Sequence, residues 1–355
     1  MPRGGAARKS SAARKTPAAR AAPAPRARLA DVARASGVST MTVVRVLRDP
    51  GKVAPRTLER VAAVLRDTGY TPDLVARGLA SRRSGLVAAV IPVLTNSLIA
   101  EIMQGLTEAL APAGLHLLIG ASGFSAAEEE VLVRAFLSRR VDAVYLTGVI
   151  HTPETVRMLQ RAGIPVVEGG NLTDEPIDMV VGYSNVAAAR DVTRHLLRQF
   201  DGPVAYIGAH PDDNDRARDR RRGYEAALRA SRRLADPSLC IETSLDIDAG
   251  ARAMGTLLDR RPDVRAVFCS ADAIAIGALF EAQRRGIRIP DGMAIAGFDD
   301  MPIAGQVVPA LTTLRVPRYD IGRQAGAMIC ERLAGRTFKR RIVDTGYALV
   351  VRASA

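Results

Sequence analysis

The sequence has no tryptophan, and aromatic residues make up only 4% of its 355 residues. Proteins that stack single-stranded bases need exposed aromatic rings, so this composition argues against single-strand binding. The only cysteines are Cys240, Cys269 and Cys330, which lie far apart and form no CxxC pair. An odd number without pairing favours free thiols in a reducing compartment over a disulfide framework or a zinc site.

Other absences argue against a membrane protein, a secreted protein and an enzyme. No run of about eighteen uncharged apolar residues occurs, so we expect no membrane-spanning helix. The arginine-rich start has no apolar segment behind it, so we expect no secretory signal and a cytoplasmic location. We find no nucleophile beside a base and no glycine loop for phosphate, and we expect neither catalysis nor a cofactor. We interpret the four histidines as structural or surface residues without metal-ligand spacing; they are His116, His151, His195 and His210.

Positive charge is concentrated at one end of the chain. Residues 1–85 contain eighteen Lys and Arg against five Asp and Glu, which gives them +13, the net charge of the whole chain. Residues 86–355 are therefore neutral, and the first segment is suited to bind a polyanion. Residues 1–27 contain no acid and little besides Ala, Pro, Arg, Lys, Ser and Gly. They predict a disordered tail that either adds salt-sensitive affinity for phosphates or is dispensable.

Two helical patterns meet at Gly37 in the segment LADVARASGVSTMTVVRVL. Their apolar residues follow i, i+3, i+4 spacing: Leu29, Val32 and Ala33, then Val43, Val46 and Leu47. Gly37 can form a left-handed turn, and the Ser39 hydroxyl can cap the second helix. The segment predicts a helix-turn-helix that presents Thr40, Met41 and Arg45 to base edges in the major groove. The alternative is an ordinary two-helix corner, and the basic charge argues against it. We expect a third helix between Pro55 and Gly69.

From residue 86 onward, apolar strand-like runs alternate with helical stretches. The runs span residues 86–94, 116–120, 143–147, 165–168, 179–183, 203–208, 239–242, 266–270 and 293–298. Strands without polar alternation are buried on both faces, as in parallel sheets covered by helices. The pattern predicts an α/β fold with two doubly wound parallel-sheet lobes of periplasmic-binding-protein type. Ligands of such folds bind in the cleft at the carboxyl ends of the strands.

The predicted domains are a basic tail at 1–27, a DNA-binding headpiece at 28–71, a linker at 72–84 and a two-lobed ligand-binding domain at 85–350. Polar residues at the strand ends are the candidates for ligand contacts, and an arginine run at 216–222 opens a helix near the cleft. One of these arginines could form a bidentate pair with a carboxylate. The cleft is predicted to bind a ligand without transforming it.

Several segments resemble the LacI/GalR family of bacterial transcription regulators in order and spacing. They include GYTPDLVARGLASRRSG, VIPVLTN, AGIPVV, RRRGYEAAL, SADAIAIGAL, MAIAGFDD and PALTTLRVP, in addition to the helix-turn-helix segment. The resemblance covers residues 29 to about 350. Within the family, TMTVVRVLRDP, LTNSLIAEIMQGL and HTPETVRMLQRAGIPVVE are most similar to repressors of gluconate operons.

The resemblance implies a homodimeric repressor, cytoplasmic and associated with the nucleoid, that a sugar or sugar-acid effector releases from a double-stranded DNA operator. It also implies that the linker at 72–84 is a hinge and that the domain at 85–350 dimerises. The implied DNA-binding residues are Ser39, Thr40, Met41, Thr42, Arg45 and Leu79, the last as a minor-groove wedge. The implied effector-binding residues are Asn96, Ser97, Glu168, Tyr183, Arg220, Asp272 and Asp299. The sequence departs from the family pattern at Ala271, which replaces a common Asn, and at Ser184, which replaces a frequent Asp. Three alternatives stay open: a sugar-binding protein of periplasmic type, an α/β enzyme, and an activator or corepressor-dependent regulator with another ligand.

Overall fold

The computed structural model describes residues 27–70, 83–94, 97–212, 214–336 and 341–355. The chain divides into two compact units, residues 1–80 and residues 81–355. The predicted tail, Asn96 and most of the predicted hinge with Leu79 lie outside the described residues.

The first unit contains a helix-turn-helix followed by a third helix. Its helices are α1 (Leu29–Ser36), α2 (Thr40–Arg48) and α3 (Pro55–Thr68). Gly37 ends α1 with a φ of 61°, a left-handed conformation that favours glycine. The Ser39 hydroxyl accepts a hydrogen bond from the Thr42 N–H at 3.2 Å and so caps α2. The predicted helix-turn-helix is confirmed.

The three helices enclose a small apolar core. Val32, Val43 and Val61 are fully buried, one from each helix. At the start of α3, Ala54 supplies no side-chain cap, and Pro55 occupies the first turn instead, where its missing N–H costs nothing. The core positions α2 with its other face exposed to solvent.

The second unit contains two parallel sheets and one antiparallel pair of strands. The strands are β1 (Leu86–Ile91), β2 (His116–Ala121), β3 (Ala143–Thr147), β4 (Val166–Gly169), β5 (Met179–Gly182), β6 (Val204–Ala209), β7 (Cys240–Thr243), β8 (Ala266–Cys269), β9 (Ala294–Ala296), β10 (Thr313–Arg315), β11 (Ile342–Asp344) and β12 (Ala348–Val350). The first sheet has the order β11-β5-β4-β3-β1-β2, the second has the order β7-β6-β8-β9, and β10 pairs with β12. Each parallel sheet is the centre of one lobe.

Helices cover the sheets of both lobes. They are α4 (Ser97–Leu110), α5 (Ala126–Ser138), α6 (Pro153–Ala162), α7 (Asn185–Gln199), α8 (Asp215–Ala230), α9 (Ile247–Arg260), α10 (Asp272–Arg284) and α11 (Arg318–Leu333). In lobe 1, α4 and α11 pack closely together, and in lobe 2 α7 packs on α8 and α9 on α10. The chain crosses between the lobes after β5, between β10 and α11, and between β11 and β12.

The predicted α/β architecture is confirmed, and all nine predicted strands form with ends shifted by a few residues. The sequence analysis missed β10, β11 and β12, each only three residues long. Such short strands carry too few residues to show a period. In the part of the chain that the structure describes, no helix is long and apolar enough to cross a membrane.

The contact between α4 and α11 depends on glycines. A methyl group on Gly105 would overlap the Tyr319 carbonyl oxygen, and one on Gly322 would overlap the Ile102 carbonyl oxygen. Glycine therefore lets the two backbones touch. The contact is important for the cleft because α4 begins at a predicted ligand residue, Ser97, immediately after the β1 loop.

We expect Gly322→Ala to force α4 and α11 apart and to lower the free energy of unfolding by about 1 to 3 kcal/mol. Gly255→Ala is the matched control, because this helical glycine faces only the flexible ends of Arg285 and Glu281, the nearest atom at 3.2 Å. It should leave stability unchanged or raise it by up to about 1 kcal/mol. Denaturant unfolding of both variants measures the difference, and equal effects would contradict this account of the contact.

Candidate functional site

A cavity of about 440 Å³ lies between the two lobes. Its volume is in the range of sites for small organic ligands. Four of the predicted effector residues line it, namely Ser97, Tyr183, Arg220 and Asp299. Glu168 and Asp272 are not among the lining residues, and the binding role of all of these residues stays a prediction.

Arg220, on α8, donates a hydrogen bond through each of its three nitrogens. Nη1 donates to the Ser270 carbonyl at 2.6 Å, Nη2 to the Tyr183 hydroxyl at 3.1 Å, and Nε to Asn185 Oδ1 at 3.0 Å. Tyr183 follows β5, Ser270 follows β8, and Asn185 opens α7. One guanidinium therefore joins the ends of three elements that meet at the cleft.

Asp299 compensates the positive charge of Arg220. Arg220 Nη2 lies 3.6 Å from Asp299 Oδ1, and both side chains are only 11% exposed. Its guanidinium carbon lies 3.7 Å from the centre of the Phe298 ring, a cation–π contact. Burial alone would lower the pKa of Arg220, but Tyr183 and Asp299 outweigh it and raise that pKa. The residue is permanently charged and mainly committed to partners within the protein.

Two more arginines line the cavity, Arg216 on α8 and Arg318 at the start of α11. Arg216 Nη1 donates to Asp215 Oδ1 at 2.9 Å. Arg318 Nε donates to Glu101 Oε2 at 3.2 Å, and its Nη1 donates to the Asp299 carbonyl. The sequence analysis included Arg216 only as a member of an arginine run and missed Arg318, which follows an unrecognised strand.

Asp272 is fully buried, and its carboxylate forms hydrogen bonds within the protein. Its carboxylate accepts the Met301 N–H at 2.7 Å and the Thr313 hydroxyl at 2.5 Å. Burial, followed by the negative charge of Asp299, raises the pKa of Asp272 to about 7. These bonds hold the loop in which Asp299 adopts a φ of 114°, a conformation that non-glycine residues rarely take. Asp272 thus positions Asp299 from behind the cavity wall.

Glu168 belongs to a buried cluster with a histidine. His151 Nδ1 lies 2.6 Å from Glu129 Oε1, and His151 Nε2 lies 3.4 Å from Glu168 Oε1. The other Glu168 oxygen accepts the Ile177 N–H at 2.7 Å. Burial would lower the pKa of His151, but the two carboxylates outweigh it and raise that pKa to about 9. The sequence analysis had interpreted this histidine as structural or surface, and the structure buries it with two acids.

Polar contacts also join the lobes beside the cavity. Asp215, the first residue of α8 in lobe 2, accepts the Val149 N–H at 3.1 Å and Asn171 Nδ2 at 3.1 Å, both from lobe 1. Asn171 Nδ2 also donates to Asp219 at 2.8 Å. We call Val149, Asn171, Asp215 and Asp219 the inter-lobe latch. Burial would raise the pKa of Asp215, but Arg216 and the latch donors outweigh it and keep that pKa low.

In the first unit, four of the six predicted DNA-binding residues lie exposed on α2 and its N-terminal cap. Ser39, Thr40, Met41 and Arg45 are exposed, and the Met41 side chain is 69% exposed. Thr42 is half-buried, with its hydroxyl 2.9 Å from that of Ser39. The sequence analysis did not include Val44, which is 39% exposed on the same helix. Exposed apolar side chains on α2 can contact thymine methyl groups.

The described residues contain no group of three or more His, Cys, Asp or Glu placed to hold a metal ion. The candidate chemistry is therefore that of hydrogen bonds and charge in the cavity and on α2.

We expect Arg220→Ala to lower the free energy of unfolding by about 3 to 5 kcal/mol, because it leaves Asp299 buried without its partner. Arg229→Ala, on the same helix, is the control. The Arg229 side chain is 66% exposed, and its ion pair with Glu225 is long, at 3.8 Å. It should cost no more than about 1 kcal/mol. If both variants lost the same free energy of unfolding in denaturant, Arg220 would not be the residue that joins the ends of these elements.

We expect stability to fall as the pH rises through the pKa of His151. A pKa raised from 6.5 to about 9 gives stabilisation that is complete below pH 6.5 and is lost as the pH rises through 9. The loss should be on the order of 3 kcal/mol, because each unit of pKa difference contributes about 1.4 kcal/mol. His151→Gln should remove most of this fall, while His210→Gln, at an exposed histidine, should retain it. Unfolding at pH 6 and pH 9.5 measures the slope, and parallel curves for all three proteins would refute the assignment.

Comparison with known proteins gives the same two-part division. A family model described as bacterial regulatory proteins, lacI family, matches residues 28–73, and a periplasmic binding protein-like domain matches residues 193–355. The HTH-type transcriptional regulator GntR of Pseudomonas aeruginosa is 36% identical over 321 residues, which cover 90% of this chain and 93% of that relative.

Solved structures agree with the sequence relatives. A LacI-family transcriptional regulator from Silicibacter pomeroyi is similar with a TM-score of 0.86 and 30% identity, covering 92% of this chain and 99% of its own. The complex of the transcriptional regulator CelR with cellobiose is similar with a TM-score of 0.68 and 30% identity, covering 93% of this chain and 100% of its own. These matches confirm the family predicted from the motifs: the chain belongs to the LacI family of bacterial DNA-binding transcriptional regulators.

Proposed function

We propose that the protein is a homodimeric repressor that binds a pseudo-palindromic operator and that a sugar acid in the cleft releases it. The proposal rests on one observation: the same chain contains both an exposed, basic α2 and a cavity lined by three arginines. We propose also that it acts in the bacterial cytoplasm and has neither a cofactor nor catalytic activity.

The DNA-binding role is supported by the exposure of Thr40, Met41 and Arg45 on α2. The Arg45 side chain is exposed and forms no hydrogen bond or ion pair among the described residues, so its guanidinium is available to a guanine edge. Two headpieces in a dimer would occupy successive major grooves. As the family resemblance implies, Leu79 would be the wedge in the minor groove between them.

The effector class is supported by the composition of the cavity. Arg216, Arg220 and Arg318 line it with Tyr183, Asp299 and backbone groups, a set suited to a polyhydroxy anion. A volume of about 440 Å³ accommodates a six-carbon sugar acid. The cellobiose complex of CelR supports a carbohydrate ligand in this fold. Gluconate is the candidate that the resemblance to gluconate-operon repressors favours.

The proposed mechanism links the cavity to the angle between the lobes. An effector that prefers one lobe angle shifts the population toward it and opposes operator binding through a coupling free energy, typically about 1 to 3 kcal/mol. The inter-lobe latch lies beside the cavity, so contacts that depend on the lobe angle are next to the ligand.

We expect the full-length protein to bind DNA from upstream of its own gene with nanomolar affinity, and gluconate to weaken this binding by tenfold or more, as a coupling of at least about 1.4 kcal/mol requires. Arg45→Gln should cost about 1 to 3 kcal/mol of specific affinity. Arg66→Gln removes the same charge from the last turn of α3 and is the control. Fluorescence anisotropy against specific and scrambled DNA measures both effects.

Binding that does not discriminate specific from scrambled DNA would contradict the regulator and favour a ligand-binding protein without a transcriptional role. Specific binding that gluconate strengthens would point instead to a corepressor.

A further inference from the structure

Arg216 lies where two cavities meet. It is the second residue of α8, and it lines both the 440 Å³ cavity and a side cavity of about 60 Å³. Pro92, Phe124 and Thr147 also line both cavities, so the two are contiguous at this point. A ligand in the larger cavity therefore reaches the side cavity past the Arg216 guanidinium.

Arg216 has more free donors than the other two cavity arginines. Among the described residues, only its Nη1 has a hydrogen-bond acceptor, Asp215, so Nε and Nη2 are available. Arg220 uses all three of its nitrogens, and Arg318 uses two and is only 7% exposed. Arg216 is 15% exposed, the highest value of the three. A carboxylate that enters the cavity finds its free bidentate fork at Arg216.

An anion is favoured on the side of Arg216 that faces the 440 Å³ cavity, whose charged lining consists of three arginines and two aspartates. The side cavity is less suitable for an anion, because Glu129, Asp212 and Asp215 line it. The N-terminus of α8 adds partial positive charge to that of the side chain. The Thr147 hydroxyl, in the wall of both cavities, has no hydrogen-bond partner among the described residues. A Cβ on Gly148 would lie 2.9 Å from Arg216 Nη1, so glycine with its φ of 106° makes room for the guanidinium. The space is shaped around this arginine, with an unused hydroxyl nearby.

We propose that Arg216 binds the carboxylate of the effector, that the effector is a polyhydroxy acid, and that Arg220 holds the cavity wall in place. The inference rests on the proposed effector-responsive function and deepens it by assigning the residue that distinguishes an acid from a neutral sugar.

The same arginine connects the ligand to the inter-lobe latch. Its only described partner, Asp215, is the acceptor of the latch contacts from Val149 and Asn171. A ligand carboxylate on Nε and Nη2 would share the positive charge of the guanidinium with Asp215, which stays on Nη1. Asp215 then loses part of its charge compensation and depends more on the two lobe 1 donors, so ligand binding changes the latch.

The test is isothermal titration of the full-length protein with two pairs of probes, gluconate with sorbitol and glucuronate with glucose. We expect the wild type to bind at least one acid tenfold or more tightly than its neutral partner. Arg216→Gln should remove most of that preference, because it lowers the affinity for the acid far more than the affinity for the neutral partner. Arg229→Gln, an exposed position on the same helix, should behave as the wild type.

Asp215→Asn is a second variant with the opposite expected sign. It removes the competing charge and keeps an oxygen for the latch donors, so acid affinity should rise severalfold. Acid affinity unchanged in Arg216→Gln, or lowered in Asp215→Asn, would overturn the inference while acid-dependent release from the operator would still support the proposed function. If the wild type bound neither acid more tightly than its neutral partner, both the inference and the proposal of a sugar-acid effector would be overturned. Specific binding to the operator would then still support the role as a DNA-binding regulator.

Discussion

The cleft depends on one buried cation. Arg220 is held by a carbonyl, a phenol, an amide and a carboxylate that belong to three separate parts of the chain. A buried guanidinium is stable only when its donors and its charge are satisfied together, so the elements that satisfy it are held in a fixed arrangement. The strand ends around the cavity thus have their geometry set before any ligand arrives.

This arrangement divides two functions between neighbouring turns of one helix. A side chain that maintains the wall must have its hydrogen bonds complete, whereas a side chain that recognises a ligand must keep some of them free. Arg220 meets the first condition, and Arg216, one turn earlier on α8, meets the second. The family resemblance implies that Arg220 contacts the effector, and this role stays a prediction for a residue that lines the cavity.

Much of the architecture could be predicted from the sequence because it is encoded locally. Gly37, Ser39 and the apolar spacing specify the helix-turn-helix within a few residues, and the long apolar runs specify the buried strands. The strand ends likewise predicted Ser97, Tyr183 and Asp299 at the cavity. The hydrogen-bond partners could not be predicted in this way. Whether an arginine such as Arg318 points inward depends on tertiary contacts, and Glu168 is turned toward His151 by a loop with no local signature.

The three chain segments that cross between the lobes limit how the lobes can move. Three connections constrain the relative position of the lobes more than a single connection would, because each ties one point of lobe 1 to one point of lobe 2. Within lobe 1, α4 and α11 touch through glycine, which adds a close backbone contact to the parallel sheet. A ligand in the cleft therefore meets two lobes that are joined at three points, so any change in the angle between the lobes must bend all three segments.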